Sequence, residues 1–328
     1  MKKQIFALSL LLSSTAFANR VMPEISKDGK TRHSSSMAVA NDRRQFFNTQ
    51  FEGGSAEIQD IDTLDSSDFD INGAFGNRVF SAEFSYNDNV GFAQTRPIIT
   101  EVGHNREAVL LMGFRPVDLV SFGFGYRNIE RDMQNKNINT FEVEASTMFN
   151  INRVSFGGAY KYVKPNSQRH GYYADLTLAG GYLDEVLSAE AGLSVKTKSQ
   201  ELNRGTRKEF FIGGTRKYSN LEFDTDFEYE SGDNGYETGD YKRMKFNFDL
   251  EVLYTKYLYV TPGIEYRNLE INNSSSEQIY TSVDFGYREA GMDITLAFDY
   301  LADGNLEIAN QDIKLDQYRV TLGMGYQF

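Results

Sequence analysis

The stretch Tyr318-Arg319-Val320-Thr321-Leu322-Gly323-Met324-Gly325-Tyr326-Gln327-Phe328 ends the chain. Tyr318, Val320, Leu322, Met324, Tyr326 and Phe328 fall on one face, and Arg319, Thr321, Gly323, Gly325 and Gln327 on the other. A period of two marks a β-strand whose faces meet different surroundings.

The pattern repeats upstream. Phe80, Ala82, Phe84 and Tyr86 oppose Ser81, Glu83 and Ser85. Val120, Phe122, Phe124 and Tyr126 oppose Ser121, Gly123, Gly125 and Arg127. Phe141 to Phe149, Val154 to Tyr162, Leu187 to Val195, Leu221 to Tyr229, Met244 to Val252, Leu258 to Tyr266 and Met292 to Tyr300 alternate in the same way. Most runs approach the roughly 9–11 residues with which a tilted strand crosses a hydrocarbon layer. Short connections, such as Gly76-Asn77, Tyr218 to Asn220 and Glu289 to Gly291, alternate with longer polar ones. The longer ones include Asp60 to Ser67, Asn87 to Arg106, Ser231 to Asp240 and Ala302 to Lys314.

These features predict an all-β chain, a single antiparallel transmembrane β-barrel of about sixteen strands. Fourteen is the fallback, because Phe51 to Gln59 and Phe69 to Phe75 are weak strands and Asn72-Gly73 reads as a turn. A soluble β-sandwich or propeller fits less well, since nearly every apolar face carries large aromatics.

The start of the chain reads as an export signal. Lys2 and Lys3 precede the apolar run Ile5 to Leu12, and Ala16-Phe17-Ala18 is a small-x-small cleavage site. The expected organisation is a signal peptide at 1–18, a polar cationic segment at 19–45 and the barrel at 46–328. Cysteine is absent, which excludes disulfides and thiolate chemistry. The mean hydropathy of −0.48 excludes a bundle of apolar helices and suits strands with one lipid-facing side. With 20 Tyr, 25 Phe and no Trp, the interfacial aromatic girdles are expected from Tyr and Phe.

The chain carries −12, and −14 once Lys2 and Lys3 leave with the signal. No nucleic-acid partner is expected. Arg20, Lys27, Lys30, Arg32, Arg43 and Arg44 outnumber Glu24, Asp28 and Asp42, so the segment before the barrel is positive and leaves the barrel more acidic still. It reads equally as a luminal plug or a periplasmic tail.

An exported chain with an alternating last strand and a terminal Phe328 resembles a Gram-negative outer-membrane β-barrel of the porin type. That resemblance implies an outer-membrane location among lipids and lipopolysaccharide. It also implies a final strand (Tyr318, Tyr326, Phe328) read by the barrel-insertion machinery. It implies passive diffusion of small hydrophilic solutes and leaves homo-oligomerisation open. Ala38-Val39-Ala40-Asn41-Asp42 with Asn48 is similar to the segment before the first strand of long-chain fatty-acid transporter barrels, where a luminal hatch lies. Thr49-Gln50 replaces that family's Pro-Ala. The alternatives are therefore a hydrophobic-solute transporter with an N-terminal hatch, and a closed structural or adhesive barrel.

If the apolar faces meet lipid, the polar faces line the lumen. The expected pore lining is Glu142, Glu144, Lys161, Glu222, Asp224, Asp226, Glu228, Arg243, Lys245, Asp293, Asp299 and Arg319. The ladder Glu222-Asp224-Asp226-Glu228-Glu230 is the densest charge feature. A turn centred in Ser231 to Asp240 would set Glu228 beside Arg243 and Asp226 beside Lys245. The ladder reads first as a solvated row balanced by its neighbour strand and second as a cation-selective stripe, and the acidity of the chain and its inward wall predicts a modest cation preference. The loop with Arg96, Pro97 and Arg106 is a candidate for folding inward to oppose it.

No enzyme, metal site or cofactor is expected. His33, His104 and His170 fall in the polar N-terminal stretch and in loops, outside any nucleophile or i, i+4 metal spacing. Asp233-Asn234-Gly235 with Glu237 and Asp240 reads as a solvated turn rather than a calcium loop. Gly157-Gly158, Gly180-Gly181 and Gly213-Gly214 read as sites of barrel curvature or of close approach, with curvature favoured.

Overall fold

The computed structural model describes residues 45–58, 61–92, 102–133, 136–165, 173–183, 186–197, 204–234, 239–272, 274–308 and 311–327. The proposed signal, the cationic segment up to residue 44 and Phe328 lie outside them. The described residues form sixteen strands in one closed antiparallel barrel. The first eight are β1 (Phe46–Ile58), β2 (Ile61–Gly76), β3 (Phe80–Phe92), β4 (Val102–Val117), β5 (Val120–Met133), β6 (Lys136–Ile151), β7 (Val154–Pro165) and β8 (Tyr173–Leu183). The others are β9 (Leu187–Lys196), β10 (Arg204–Tyr218), β11 (Leu221–Asn234), β12 (Gly239–Leu253), β13 (Leu258–Ile271), β14 (Ser274–Glu289), β15 (Met292–Ile308) and β16 (Gln311–Gln327). Each strand pairs with its sequence neighbours, and β1 closes the ring on β16 from Phe46↔Gln327 to Ile58↔Leu315.

Closure follows from the solvent. An open edge within hydrocarbon would leave a row of amides without partners, at several kcal/mol each. The alternating pattern then sorts itself. Leu193 and Leu178 on the outer face are 58% and 59% exposed, while Glu142 on the inner face is 7% exposed. That is the reverse of a water-soluble protein.

Both weak strands exist, and sixteen rather than fourteen is the count. Asn72-Gly73 lies within β2, paired to Asn48-Phe47 on one side and Ser85-Phe84 on the other. The polar stretches expected as long loops are mostly strand. Ile61 to Ser67 belongs to β2, Asn87 to Phe92 to β3, Val102 to Arg106 to β4, and Ala302 to Ile308 to β15. A strand that continues beyond the hydrocarbon meets water on both faces. Its alternation fades while its backbone stays paired.

The short turns hold their expected places. Asn152 and Ser219 adopt positive φ, as do Ala290 and Gly291 in succession (φ 51 and 85). Two consecutive left-handed residues give the primed turn whose twist matches the flanking strands. These turns share one end of the barrel with Phe46 and Gln327, here termed the entry end. The other is the far end.

Candidate functional site: the barrel lumen

Parity carries every predicted pore-lining residue inward. Glu142 and Glu144 point inward from β6, Lys161 from β7, Glu222 to Glu228 from β11, Arg243 and Lys245 from β12, Asp293 and Asp299 from β15, and Arg319 from β16. They fall into two different settings.

From β4 to β12 the charges form a belt. Arg127 Nε lies 3.1 Å from Glu107 and its Nη1 3.5 Å from Glu142. Lys161 Nζ lies 3.6 Å from Glu142 and 3.4 Å from Asp175. Asp175 faces Lys196, whose Nζ is 3.0 Å from Glu209 and 3.2 Å from Glu230. Arg243 ends the belt at 3.4 Å from Glu209, 3.5 Å from Glu228 and 3.4 Å from Glu230. Glu144 faces Lys161 across β6–β7. Most of these carboxylates are buried, so removing one partner would strand a charge.

Below the belt this side is filled. Met148, Ala159, Ala179 and Phe211 form one inward apolar cluster, and Val109 and Leu111 another. Glycines make the room. A Cβ at Gly192 would run into the Phe211 ring, and one at Gly157 into Met148 and the Thr147 carbonyl. Gly213 likewise receives the Asp226 carboxylate. Of the paired glycines, Gly157 and Gly213 show the close approach that was the less favoured of their two expected roles. The apolar fill was not anticipated, although Phe210-Phe211-Ile212 held a signal. Three successive apolar residues cannot all face outward on a strand.

From β11 through β16 to β1 and β2 the wall is open. It encloses a cavity of about 650 Å³ reaching from the entry end, where Phe46, Phe47 and Gln327 line it, to mid-barrel at Tyr280 and Arg319. Among the described residues, nine carboxylates (Glu52, Glu222, Asp224, Asp249, Glu251, Glu265, Asp284, Asp293 and Asp299) line it against three cations, Lys245, Arg288 and Arg319. Glu222 faces Glu251 and Asp224 faces Asp249 directly across β11–β12. Each outer carboxylate also has a cation to its side, Lys217 at 2.9 Å from Glu222 and Arg288 at 3.2 Å from Glu251.

The register expected across this hairpin is corrected by two residues, although Arg243 still reaches Glu228 diagonally at 3.5 Å. Glu228 faces Lys245 and Glu230 faces Arg243, while Asp226 faces Asn247. The turn is centred one residue later than assumed, because β11 runs to Asn234 and β12 starts at Gly239. Lys245 pairs instead with Glu265, at 3.5 Å.

Inward tyrosines are the second feature missed. Tyr259 crosses β14 at Gly286 and donates its hydroxyl to Asp293 at 2.7 Å on β15, beneath Arg288 at 4.6 Å from its ring. Tyr280 reaches across β15 to Gln317 on β16 at 3.0 Å, with Arg267 and Arg319 at 4.9 and 5.7 Å from its ring. Arg207 lies 3.4 Å from the Tyr241 ring. Stacking on a π-face fixes an arginine that would otherwise be mobile. Parity alone would have placed all three rings inside, but aromatics were expected at the lipid interface.

Tyr318 and Tyr326 face outward and are exposed, as a lipid-facing terminal strand requires. His104 is on β4, not in a loop. It meets Asp88 on the outer surface near the far end, with Arg106 beside both. Arg106 therefore does not fold inward, and Arg96 and Pro97 lie outside the described residues. His33, His170, Gly235 and Glu237 lie outside them too. No group of three or more His, Cys, Asp or Glu among the described residues is placed to hold a metal ion.

No protein-family model and no curated protein matches the sequence. Solved structures do. The CymD monoaromatic hydrocarbon channel superposes with a TM-score of 0.52 at 9% identity, over 95% of this chain and 98% of that one. OccK2 (OpdF) of Pseudomonas aeruginosa gives 0.50 at 8% identity, over 87% and 98%. OmpT, an outer membrane protein of Vibrio cholerae, gives 0.47 at 11% identity, over 86% and 96%. At such identity the likeness is one of fold: the chain has the barrel architecture found among outer-membrane channels.

Proposed function

We propose that this barrel sits in the outer membrane and passes small hydrophilic solutes by passive diffusion, with a modest preference for cations. The observation that carries the reading is the cavity inside a closed, apolar-jacketed barrel, lined by nine carboxylates and three cations. Fixed negative charge in a low-dielectric sleeve raises the local cation concentration. The pore lining is the predicted set from Glu142 to Arg319, and the filled side from β4 to β10 narrows the route. Tyr318 and Tyr326 with Phe328 are the insertion signal in this reading, and outer-membrane lipid and lipopolysaccharide are the surroundings.

A path for hydrophobic solutes has less support. In the filled half, Met148 and Phe211 are buried against Gly157 and Gly192, with Phe211 at 2% exposure, and offer little surface to a guest. The purified chain in liposomes should admit sugars in a swelling assay. In a planar bilayer with a KCl gradient its reversal potential should show cation preference. Anion preference would reject the selectivity, and exclusion of sugars would reject the diffusion reading.

A further inference from the structure

One part of the open cavity is lined by neutral amides instead of charge. Near the entry end, Asn48 on β1 stands between Gly325 on β16 and Asn72 on β2, and Gln50 is paired with Gly323. The neighbouring hydroxyls are engaged, Thr295 with Tyr259 at 2.9 Å and Thr321 with Glu52 at 3.4 Å. The amides are not. Asn72 is 3% exposed, and its side chain makes no hydrogen bond among the described residues; nor do those of Asn48 and Gln50. Each amide offers two N–H donors and an acceptor oxygen, and such groups are costly when buried unmet. The glycines keep the space beside them clear. A Cβ at Gly323 or Gly325 would stand 3.4 Å from Gln50 or Asn48, in ordinary contact, so nothing in the packing forbids a side chain there. Three carboxylates frame the patch: Asp70 beside Gln50, Glu52 two residues on along β1, and Asp293 beyond Gly325 on β15.

We propose that this patch binds a polyhydroxylated amine of the amino-sugar class, with its hydroxyls on Asn48, Gln50 and Asn72 and its ammonium among the framing carboxylates. A bare metal cation meets carboxylates and amide oxygens but leaves every amide N–H unmet. A hydroxyl both donates and accepts, so a sugar ring satisfies the two ends of an amide together. A neutral sugar brings no charge to a cavity in which nine carboxylates stand against three cations. At about 650 Å³ the cavity has the size of a small-molecule site. That the site lies on a transport route rests on the diffusion reading above; the binding itself does not.

The test compares three probes on the full chain in planar bilayers at 0.1 M KCl and pH 6: glucosamine, glucose, and cyclohexylamine, a charged ring without hydroxyls. Glucosamine should block the current at a concentration roughly tenfold below either of the others, as one or two net hydrogen bonds or a screened charge contact imply. Equal block by cyclohexylamine reduces the site to an acidic field, and equal block by glucose to a neutral sugar slot; either overturns the class. Asn48→Ala with Asn72→Ala, folded by heat-modifiable gel mobility, should bring glucosamine's block to that of cyclohexylamine. Gly323→Val, whose Cβ has room, should do the same by covering the amides, and it decides the matter if the double variant does not fold. An unchanged glucosamine block in a folded variant overturns the assignment. Binding is also read without conduction. The chain has no cysteine, and Ala297, which lines the same cavity beside Thr321, is changed in Ala297→Cys. Glucosamine should slow maleimide labelling there, and glucose at the same concentration should not. If neither ions nor sugars pass, the diffusion reading falls and labelling alone decides the binding. If ions and sugars pass while glucosamine neither blocks nor protects, this inference falls and the diffusion reading stands.

Discussion

The wall from β4 to β10 and the wall from β11 round to β2 share one exterior and differ inside. Leu193 on β9 and Phe298 on β15 both point outward and are exposed. Inside, the first wall closes on itself through Met148, Phe211 and a belt of alternating ions. The second leaves a cavity in which carboxylates outnumber cations three to one. Lipid imposes one demand on every outward position, so the outside is uniform. Water inside imposes almost none. There, each strand can hold a large apolar side chain wherever a neighbouring glycine clears the space, or hold a charge.

Stability should therefore depend on the first wall and selectivity on the second. Phe211→Ala should have the largest effect. Emptying a buried aromatic site costs about 3 kcal/mol or more, seen as a lower denaturant midpoint for the heat-modifiable form, and conductance should rise. An unchanged midpoint would show that the filled wall does not hold the barrel. Next comes Lys196→Met, which removes the ammonium between Glu209 and Glu230 and leaves the Arg243 guanidinium to bridge them. A loss of roughly 2–3 kcal/mol is expected, somewhat under the fully buried case because the lysine is partly solvated. The matching change in the open wall, Lys245→Met, should cost roughly 1 kcal/mol or less. Equal losses at both sites would erase the distinction between the walls.

Selectivity should move the other way. Glu222→Gln, Asp224→Asn and Asp226→Asn together should bring the cation-to-anion permeability ratio towards unity at 0.1 M KCl and leave it little changed at 1 M. A ratio untouched at low salt would remove the ladder from the filter. The smallest change is Tyr259→Phe, which deletes one hydroxyl donated to Asp293. It should cost about 1 kcal/mol and loosen Arg288, read as added open-channel noise. Noise equal to the parent would mean that stacking alone holds the arginine.

How much of this was legible in advance depends on distance. Glu142, Lys161 and Asp293 were assignable to the inside because parity is a property of adjacent residues. Asn87 to Phe92 looked like loop because, where water lies on both sides, the backbone stays paired after the pattern stops. The roles of Tyr259 and Tyr280 are not legible in sequence because they lie one and two strands away, at Gly286 and Gln317.

From the sequence by itself came the class of fold, the lipid-facing side of each strand, and a strand number resting on turn chemistry such as Ala290-Gly291. All follow from the period-two backbone meeting two solvents, which short windows report. Only the tertiary structure decided that β1 closes on β16, that Glu230 rather than Glu228 faces Arg243, and that one half of the lumen is filled while the other stands open. Register shifts by two preserve every face, so alternation cannot detect them. Filling depends on which glycine lies beside which large side chain on the next strand, a relation that exists only once the strands are paired.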